Sequence, residues 1–351
     1  MKVFALGSNG SGQLGLGHDE DCNTPCQLTI PSPLQDDEIV NIASGGNHTL
    51  FLIRSGAVYA TGNNEVGPLG VLPMSGYHTL VRLDLPPIKL CAAVWSASVF
   101  VTTDDRVLTC GLGCRGGWSV DSTIQSVYGD SSAMYTAFTI PDFAPPGVQI
   151  VDISAGMGHV VVVLSNGSAY GWGNGRHGQL GAPHEEVPSP RRINEVPFTV
   201  TKVVCGKSFT SFFSTPERGE AMMLGHSKLD RFGLKTAFPQ QVTNWHRISA
   251  GWGGLLVLSQ DGKLQGFGRN DRGQLGPADL PAISQISAGT EHALAVTTDG
   301  NVLAWGWGEH GNVGEPVDDQ KDVKGRYNTL DVPGPVRLIH AGCATSFIVT
   351  D

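Results

Sequence analysis

The chain has 351 residues, 40% of them hydrophobic, a net charge of -9 at pH 7 and a pI near 5.6. Its longest basic runs are dipeptides such as Arg191-Arg192, so a general nucleic-acid binder, which needs clustered cations against phosphate, is excluded. No apolar run approaches the roughly 20 residues of a membrane-spanning helix, and Met1 to Gly10 carries no cleavage signature of a secretory leader. Seven cysteines are an odd set, too sparse for a disulfide framework. They place the chain in a reducing compartment, the cytoplasm first and the nucleus second.

Read in order, the chain is one motif written repeatedly. Val3 to Gly17 (VFALGSNGSGQLGLG) reads as a third strand followed by a glycine-spaced exit loop, with no first two strands ahead of it. Ile39 to Gly70 is a full unit, with the turn Gly45-Gly46-Asn47-His48 between its first two strands. Ile88 to Gly116 is a degraded unit, and Ile150 to Gly181 is a clean one with Gly156-Met157-Gly158-His159. Val200 to Gly233 keeps its first turn but loses the Asn-x-x-Gly exit, and His246 to Gly276 recovers the pattern. Ile283 to Gly314 is the most regular unit, with Asp299-Gly300 as its hairpin turn. Val336 to Thr350 then supplies two strands and no third.

The two partial units are complementary. Six complete copies and one assembled from both termini make seven at a spacing of roughly fifty residues, the range of propeller blades. The expected fold is therefore all-β: a seven-bladed β-propeller forming a single domain over 1–351, its ring closed by a blade shared between the N- and C-terminal segments. Cys26 to Ile30, Thr79 to Leu83 and Pro190 to Ile193 fit as fourth strands. Trp118 to Gln149 and Glu315 to Pro335 exceed ordinary loop lengths and read as long excursions that could lie over a face, their order left open by the sequence.

Motifs that resemble chemistry dissolve in this frame. G-x-G-x-x-G occurs at Gly10, Gly111, Gly173 and Gly306, but a dinucleotide site needs a helix after that loop, and each of these lies at the same place in a β repeat. Cys22-x-x-x-Cys26 and Cys110-x-x-x-Cys114 each lack a second ligand pair, so no metal and no cofactor are expected. His48, His159 and His292 recur just before the second strand. Their repetition points to a structural hydrogen bond with neighbouring backbone rather than to general-base work.

Variation at an otherwise repeated turn is more informative, because equivalent turns open on one face of a ring. After the repeat's glycine position the pairs read Gly46-Asn47, Trp95-Ser96, Met157-Gly158, Lys207-Ser208, Trp252-Gly253, Thr290-Glu291 and Cys343-Ala344. Trp95, Met157, Lys207 and Trp252 are expected to form a collar suited to docking a protein, with Trp252 as first anchor and Asn47, His48, Glu291 and His292 around it. A tryptophan folded over its own blade would give the same sequence. The exit loop Trp305 to Asn312 offers a second surface through Trp307, Glu309 and His310, and packing between blades is the alternative there.

The repeat G-x-x-H-T-L…G-x-V-Y-x-x-G-x-N-x-x-G-x-L-G resembles that of the regulator of chromosome condensation family, whose members are seven-bladed propellers. Four finer strings, GSNGSGQLGLGHDED (Gly7 to Asp21), GGNH (Gly45 to His48), WGWGEHGN (Trp305 to Asn312) and AGCATSF (Ala341 to Phe347), resemble a small fungal member of it. That resemblance implies a non-catalytic protein that forms a heterodimer with a small zinc-ribbon electron carrier, the third diphthamide biosynthesis protein. Through that partner it would support diphthamide formation on elongation factor two and, by way of the Elongator complex, modification of wobble uridines in tRNA, without touching nucleic acid or membrane itself. The runner-up is a guanine nucleotide exchange factor for a small GTPase. The family's exchange chemistry relies on acidic residues beside the turn histidine, and those places hold Asn47, Gly158, Ser208 and Gly253 here, with Glu291 alone acidic.

Overall fold

Runs of two to nine β-compatible residues separated by turns are too short for stable helices, and each buries apolar groups only by pairing with its neighbours. A computed structural model describes residues 1–35, 37–71, 76–112, 137–141, 143–225 and 233–351, and there the repeat forms seven antiparallel sheets. The closing sheet takes β1 (Lys2–Gly7) and β2 (Cys22–Gln27) from the start of the chain. Blade 1 follows with β3 (Ile39–Ser44), β4 (His48–Ile53), β5 (Val58–Asn63) and β6 (Gly76–Arg82). Blade 2 holds β7 (Ile88–Val94), β8 (Ala97–Thr102), β9 (Val107–Gly111) and β10 (Phe138–Thr139). Blade 3 holds β11 (Ile150–Ala155), β12 (His159–Leu164), β13 (Ala169–Asn174) and β14 (Glu186–Ile193).

Blades 4 and 5 have three strands each: β15 (Lys202–Cys205), β16 (Phe209–Phe213) and β17 (Ala221–Gly225), then β18 (Trp245–Ala250), β19 (Gly254–Ser259) and β20 (Leu264–Gly268). Blade 6 has β21 (Ile283–Ala288), β22 (His292–Thr297), β23 (Val302–Trp307) and β24 (Asp322–Leu330). Two last strands, β25 (Val336–Ala341) and β26 (Thr345–Thr350), complete blade 7 in the order β2-β1-β26-β25. β1 and β26 pair from Lys2↔Thr350 to Gly7↔Thr345, so the shared blade expected from the two partial units is present.

Two expectations need correction. The stretch 315–335 is not an excursion over a face: it carries β24, the fourth strand of blade 6. The end of 118–149 likewise carries β10, paired with β9, while residues 118–136 lie outside the described residues. In both cases a long connection conceals a strand with little apolar alternation, because an outer strand keeps one edge in solvent. β2 also begins earlier than expected, at Cys22.

Burial follows position in the blade. Second strands, sandwiched on both sides and both faces, are buried throughout in β4, β8, β12, β22 and β26. First strands line a central channel with a cavity of about 270 Å³. The glycine ending each third strand is fixed by close approach: at Gly306 (φ +99°) a Cβ would stand 2.7 Å from the Glu291 carbonyl oxygen. The six equivalents, Gly7, Gly62, Gly111, Gly173, Gly225 and Gly268, have φ between +95° and +114°, a region side chains avoid. In the exit loops, the Asn9, Asn64 and Asn270 side-chain oxygens accept the N–H of Leu14, Leu69 and Leu275 at 2.9, 3.1 and 3.0 Å. This is the physical content of the Asn-x-x-Gly-x-Leu-Gly signature.

Apolar side chains fill the core of the seam between blades 7 and 1. Phe347 is fully buried and meets Phe51 edge to face, with ring centroids 5.4 Å apart. Phe347→Ala is expected to lower the unfolding free energy by about 3–5 kcal/mol, the usual range for emptying a buried aromatic site. Urea unfolding of the two proteins measures it, and a loss below about 1 kcal/mol would contradict the packing assigned to the closing blade.

Candidate functional site

In an antiparallel meander every second connection returns to the same end, so the turns after first strands and the loops after third strands share one face. The two surfaces considered separately in the sequence therefore form one: an inner collar of turns around the channel mouth and an outer ring of exit loops.

The collar is knitted by backbone hydrogen bonds between blades. Gly46 N–H donates to the Trp95 carbonyl at 2.9 Å, and Trp95 N–H to Met157 at 3.1 Å. Further round, Lys207 N–H donates to Trp252, Trp252 N–H to Thr290 and Thr290 N–H to Gly342, at 3.0 to 3.1 Å. With the turn backbones committed to these bonds at five blade junctions, the side chains vary. Trp95 and Trp252 come from blades three apart and meet over the channel mouth, ring centroids 5.9 Å apart. Lys207 lays its ammonium over the Trp252 ring at 4.8 Å. Trp95 is 42% exposed and Met157 37%, both among the few large hydrophobic side chains so placed. Neither tryptophan simply folds over its own blade.

Asn47 is exposed beside them. Glu291 is half-buried, ion-paired with Arg269 Nη1 and accepting from Gln274 Nε2 at 2.8 Å. Burial raises its carboxyl above the ordinary range against the pull of Arg269. In the outer ring, Trp307 lies under Arg272, 5.6 Å from its guanidinium, and against His310 at 5.4 Å. His310 Nδ1 meets Asp21 Oδ2 at 2.7 Å, and Glu309 is exposed. Arg269 and Arg272, which organise this rim, were not singled out in the sequence because the equivalent exit-loop places in the other regular units hold no arginine: Ser8 and Ser11, Asn63 and Val66, Trp307 and His310.

His48 and His292 are not on the collar. Both are buried inside the wall, 2% and 1% exposed, and present no surface to a partner. Each turn histidine instead latches its blade to the next: His48 Nε2 to Ser98 Oγ at 3.0 Å, His159 Nε2 to Thr210 Oγ1 at 2.9 Å and His292 Nε2 to Ser346 Oγ at 2.9 Å. These hydroxyls donate in turn to carbonyls of the preceding blade's exit loop, Pro68, Gln179 and Asn312, at 2.6 to 2.8 Å. Since the single hydroxyl proton is committed, the imidazole must donate, which sets the Nε2–H tautomer. The expected structural role is present, with a hydroxyl rather than a backbone group as partner. The glycine that opens the motif makes room: a Cβ at Gly289 would stand 2.5 Å from the His292 ring.

Serines missed in the sequence act similarly. Ser154, Ser249 and Ser287, each in an Ile-Ser-Ala-Gly string, accept the N–H of Cys205, Ala288 and Ala341 in the following blade at 3.0, 2.8 and 2.9 Å. Recurrence of that string was the available signal. Among the described residues no group of three or more His, Cys, Asp or Glu is placed to hold a metal ion, and no helix is long and apolar enough to cross a membrane.

The four finer strings converge. Asp21 meets His310, Ser8 N–H donates to the Ala344 carbonyl at 2.8 Å, and Ser346 Oγ donates to Asn312 O at 2.7 Å. His340 Nε2, just before Ala341 to Phe347, meets Ser44 Oγ at 3.0 Å, just before Gly45 to His48. All four strings therefore lie side by side at the junction of blades 6, 7 and 1.

Fold and face together define a closed seven-bladed propeller with a collar of variable side chains at one channel mouth. The sequence profile of the RCC1-like domain matches residues 2–350, and the chain belongs to the RCC1 repeat family. It is 34% identical to an RCC1 repeat-containing protein of Schizosaccharomyces pombe, over 99% of each chain. It is also 26% identical to the secretion-regulating guanine nucleotide exchange factor of Mus musculus, over 97% of this chain and 81% of that protein. In fold it is similar to Prp20p from Saccharomyces cerevisiae, with a TM-score of 0.82 at 22% identity over 99% and 90% of the two chains. Human WBSCR16 gives 0.80 at 19% identity over the whole of both.

Burial holds the histidines neutral, His48 and His159 down at about 4 and His292, beside His340, at about 3. The folded protein thus refuses protons that the unfolded chain takes up near pH 6.5. Their contribution to stability is complete above that pH and is lost as pH falls from about 6.5 to about 4 for His48 and His159 and to about 3 for His292, at about 1.4 kcal/mol per pH unit for each histidine. Urea midpoints at pH 7 and pH 5 test this, with His159→Gln expected to flatten the dependence by one histidine's share. Equal midpoints at the two pH values would contradict the burial.

Proposed function

We propose that this chain is a non-catalytic adaptor whose channel-mouth collar docks a small zinc-ribbon electron-carrier protein, the third diphthamide biosynthesis protein. Through that partner, in the cytoplasm, it supports diphthamide formation on elongation factor two and Elongator-dependent modification of wobble uridines in tRNA. The observation that carries the docking role is the Trp95–Trp252 pair with Lys207 above it: an amphipathic, partly exposed cluster on a rigid backbone ring. Aromatic anchors held in place lose little side-chain entropy on binding, which is what a recognition centre needs. Identity of the partner rests on the four strings, and their convergence at the junction of blades 6, 7 and 1 supports reading them as one surface rather than as scattered coincidence.

The mouse relative named as an exchange factor favours a second reading, exchange on a small GTPase. Glu291, the one acidic residue beside a turn histidine, is already engaged by Arg269 and Gln274, which leaves little free carboxylate for that chemistry.

Purified partner captured on the unaltered protein and on the Trp95→Ala/Trp252→Ala double variant separates these readings. Each truncation of a central tryptophan is expected to cost about 2 kcal/mol, so a single substitution should weaken capture about thirtyfold and the pair more. Undiminished capture by a folded double variant would remove the collar. Accelerated nucleotide release from a small GTPase would favour the second reading instead.

A further inference from the structure

Blade 5 is incomplete for lack of chain. Between the exit glycine Gly276 and the next first strand at Ile283 stand only residues 277–282, PADLPA, whereas blade 6 has 315–335 for the same connection and blade 1 has 71–87. The third strand β20, Leu264-Gln265-Gly266-Phe267-Gly268, consequently pairs with β19 on one side only. Blade 4, the other three-stranded sheet, is partly covered: Ala221 N–H donates to the Gln240 carbonyl at 3.1 Å and Val242 N–H to Gly219 at 2.7 Å. Among the described residues β20 has no such cover.

The other blades show what is missing. Leu28 N–H donates to Val3 O at 2.8 Å, Leu83 N–H to Val58 O at 2.9 Å and Ile140 N–H to Val107 O at 2.8 Å, and all three aliphatic side chains are buried. By register Leu264, opposite Leu258, stands where Val58 stands opposite Leu52. The backbone groups of Leu264 and Gly266 therefore face outward with the spacing of a ladder. Gln265 and Gly266 are exposed, and Leu264 and Phe267 are half-buried. The strand has no proline and no charge, the devices by which exposed edges are ordinarily blunted.

We infer that the outer edge of β20 binds an extended segment of another protein, which adds to blade 5 as its fourth strand. The segment places an aliphatic residue where Leu28, Leu83 and Ile140 lie in their blades, and basic residues beside it. Basic flanks are favoured by the chain's net charge of -9 and by its own fourth strands, β14 with Arg191 and Arg192 and β24 with Lys324 and Arg326. Main-chain bonds supply affinity in such additions and the alternate side chains supply selectivity. A second copy is the poorer occupant: two five-residue edges fall far short of the roughly 1,200 Å² of a stable interface, and like net charges oppose it. The edge is on the outer rim, so this inference does not rest on the collar.

A labelled synthetic peptide copying residues 76–83, GYHTLVRL, is the probe. Anisotropy is expected to show saturable binding to the full chain, and the amides of Leu264 and Gly266 to exchange about fivefold more slowly with peptide bound, as one ordinary backbone hydrogen bond predicts. Leu264→Pro, which removes an outward N–H, is expected to abolish binding; should that variant not fold, the exchange rates of the unaltered chain decide alone. No binding, or binding with unchanged rates at these two amides, would overturn the inference. Slowing that grows with protein concentration and needs no peptide would assign the edge to a second copy and overturn it as well.

Discussion

The antiparallel pairing of β1 with β26 is the interaction on which the molecule depends. Blades of a propeller pack only against their neighbours, so an open array would leave two apolar faces in water. Six successive residue pairs between the first and last strands remove both at once, with Phe347 meeting Phe51 across the next boundary. Closure also dictates where everything else lies. Once the ring is sealed, first strands must face the channel, second strands are buried throughout, and alternate connections gather on one face.

Inter-blade contacts divide into a constant set and a variable set, and the proposed docking role rests on the second. The constant set is polar: buried imidazole to hydroxyl to exit-loop carbonyl at blades 1, 3 and 6, and the half-buried serines of the Ile-Ser-Ala-Gly strings, whose hydroxyl oxygens accept backbone N–H groups of the next blade. Within the wall, the histidine Nε2–H, the hydroxyl and the exit-loop carbonyl satisfy one another away from water. Collar backbones belong to the constant set through their own ring of hydrogen bonds. Side chains on that ring are released from structural duty, which is why Trp95, Met157, Lys207 and Trp252 can differ from blade to blade and meet above the channel.

Much of this was legible in the sequence because the physical constraints repeat with it. Glycines at positive φ, the Asn-x-x-Gly-x-Leu-Gly loops and the two complementary partial units announce blades, their number and their closure. Contacts between distant units were not legible, since nothing in a repeat tells which of seven turns lie opposite: Trp95 and Trp252 are separated by more than 150 residues yet touch. His48 and His292 were misplaced on the collar because a residue next to a turn is exposed only if its side chain points outward, and here it turns back into the wall under a glycine. β24 was hidden in a long connection for want of apolar alternation. The short connection 277–282 was legible as a missing fourth strand, but only by comparing connection lengths between units.

The central claim is that the two termini form one cooperative sheet and so seal the ring. Native-state hydrogen exchange in low denaturant addresses it through the amides of Phe4 and Ile348, paired across the seam, against those of Val161 and Val162 in the continuous strand β12. The account predicts that all four exchange only by global unfolding, with the same opening free energy and denaturant dependence. Exchange of Phe4 and Ile348 through a cheaper, denaturant-independent local opening, while Val161 and Val162 remain protected, would contradict it.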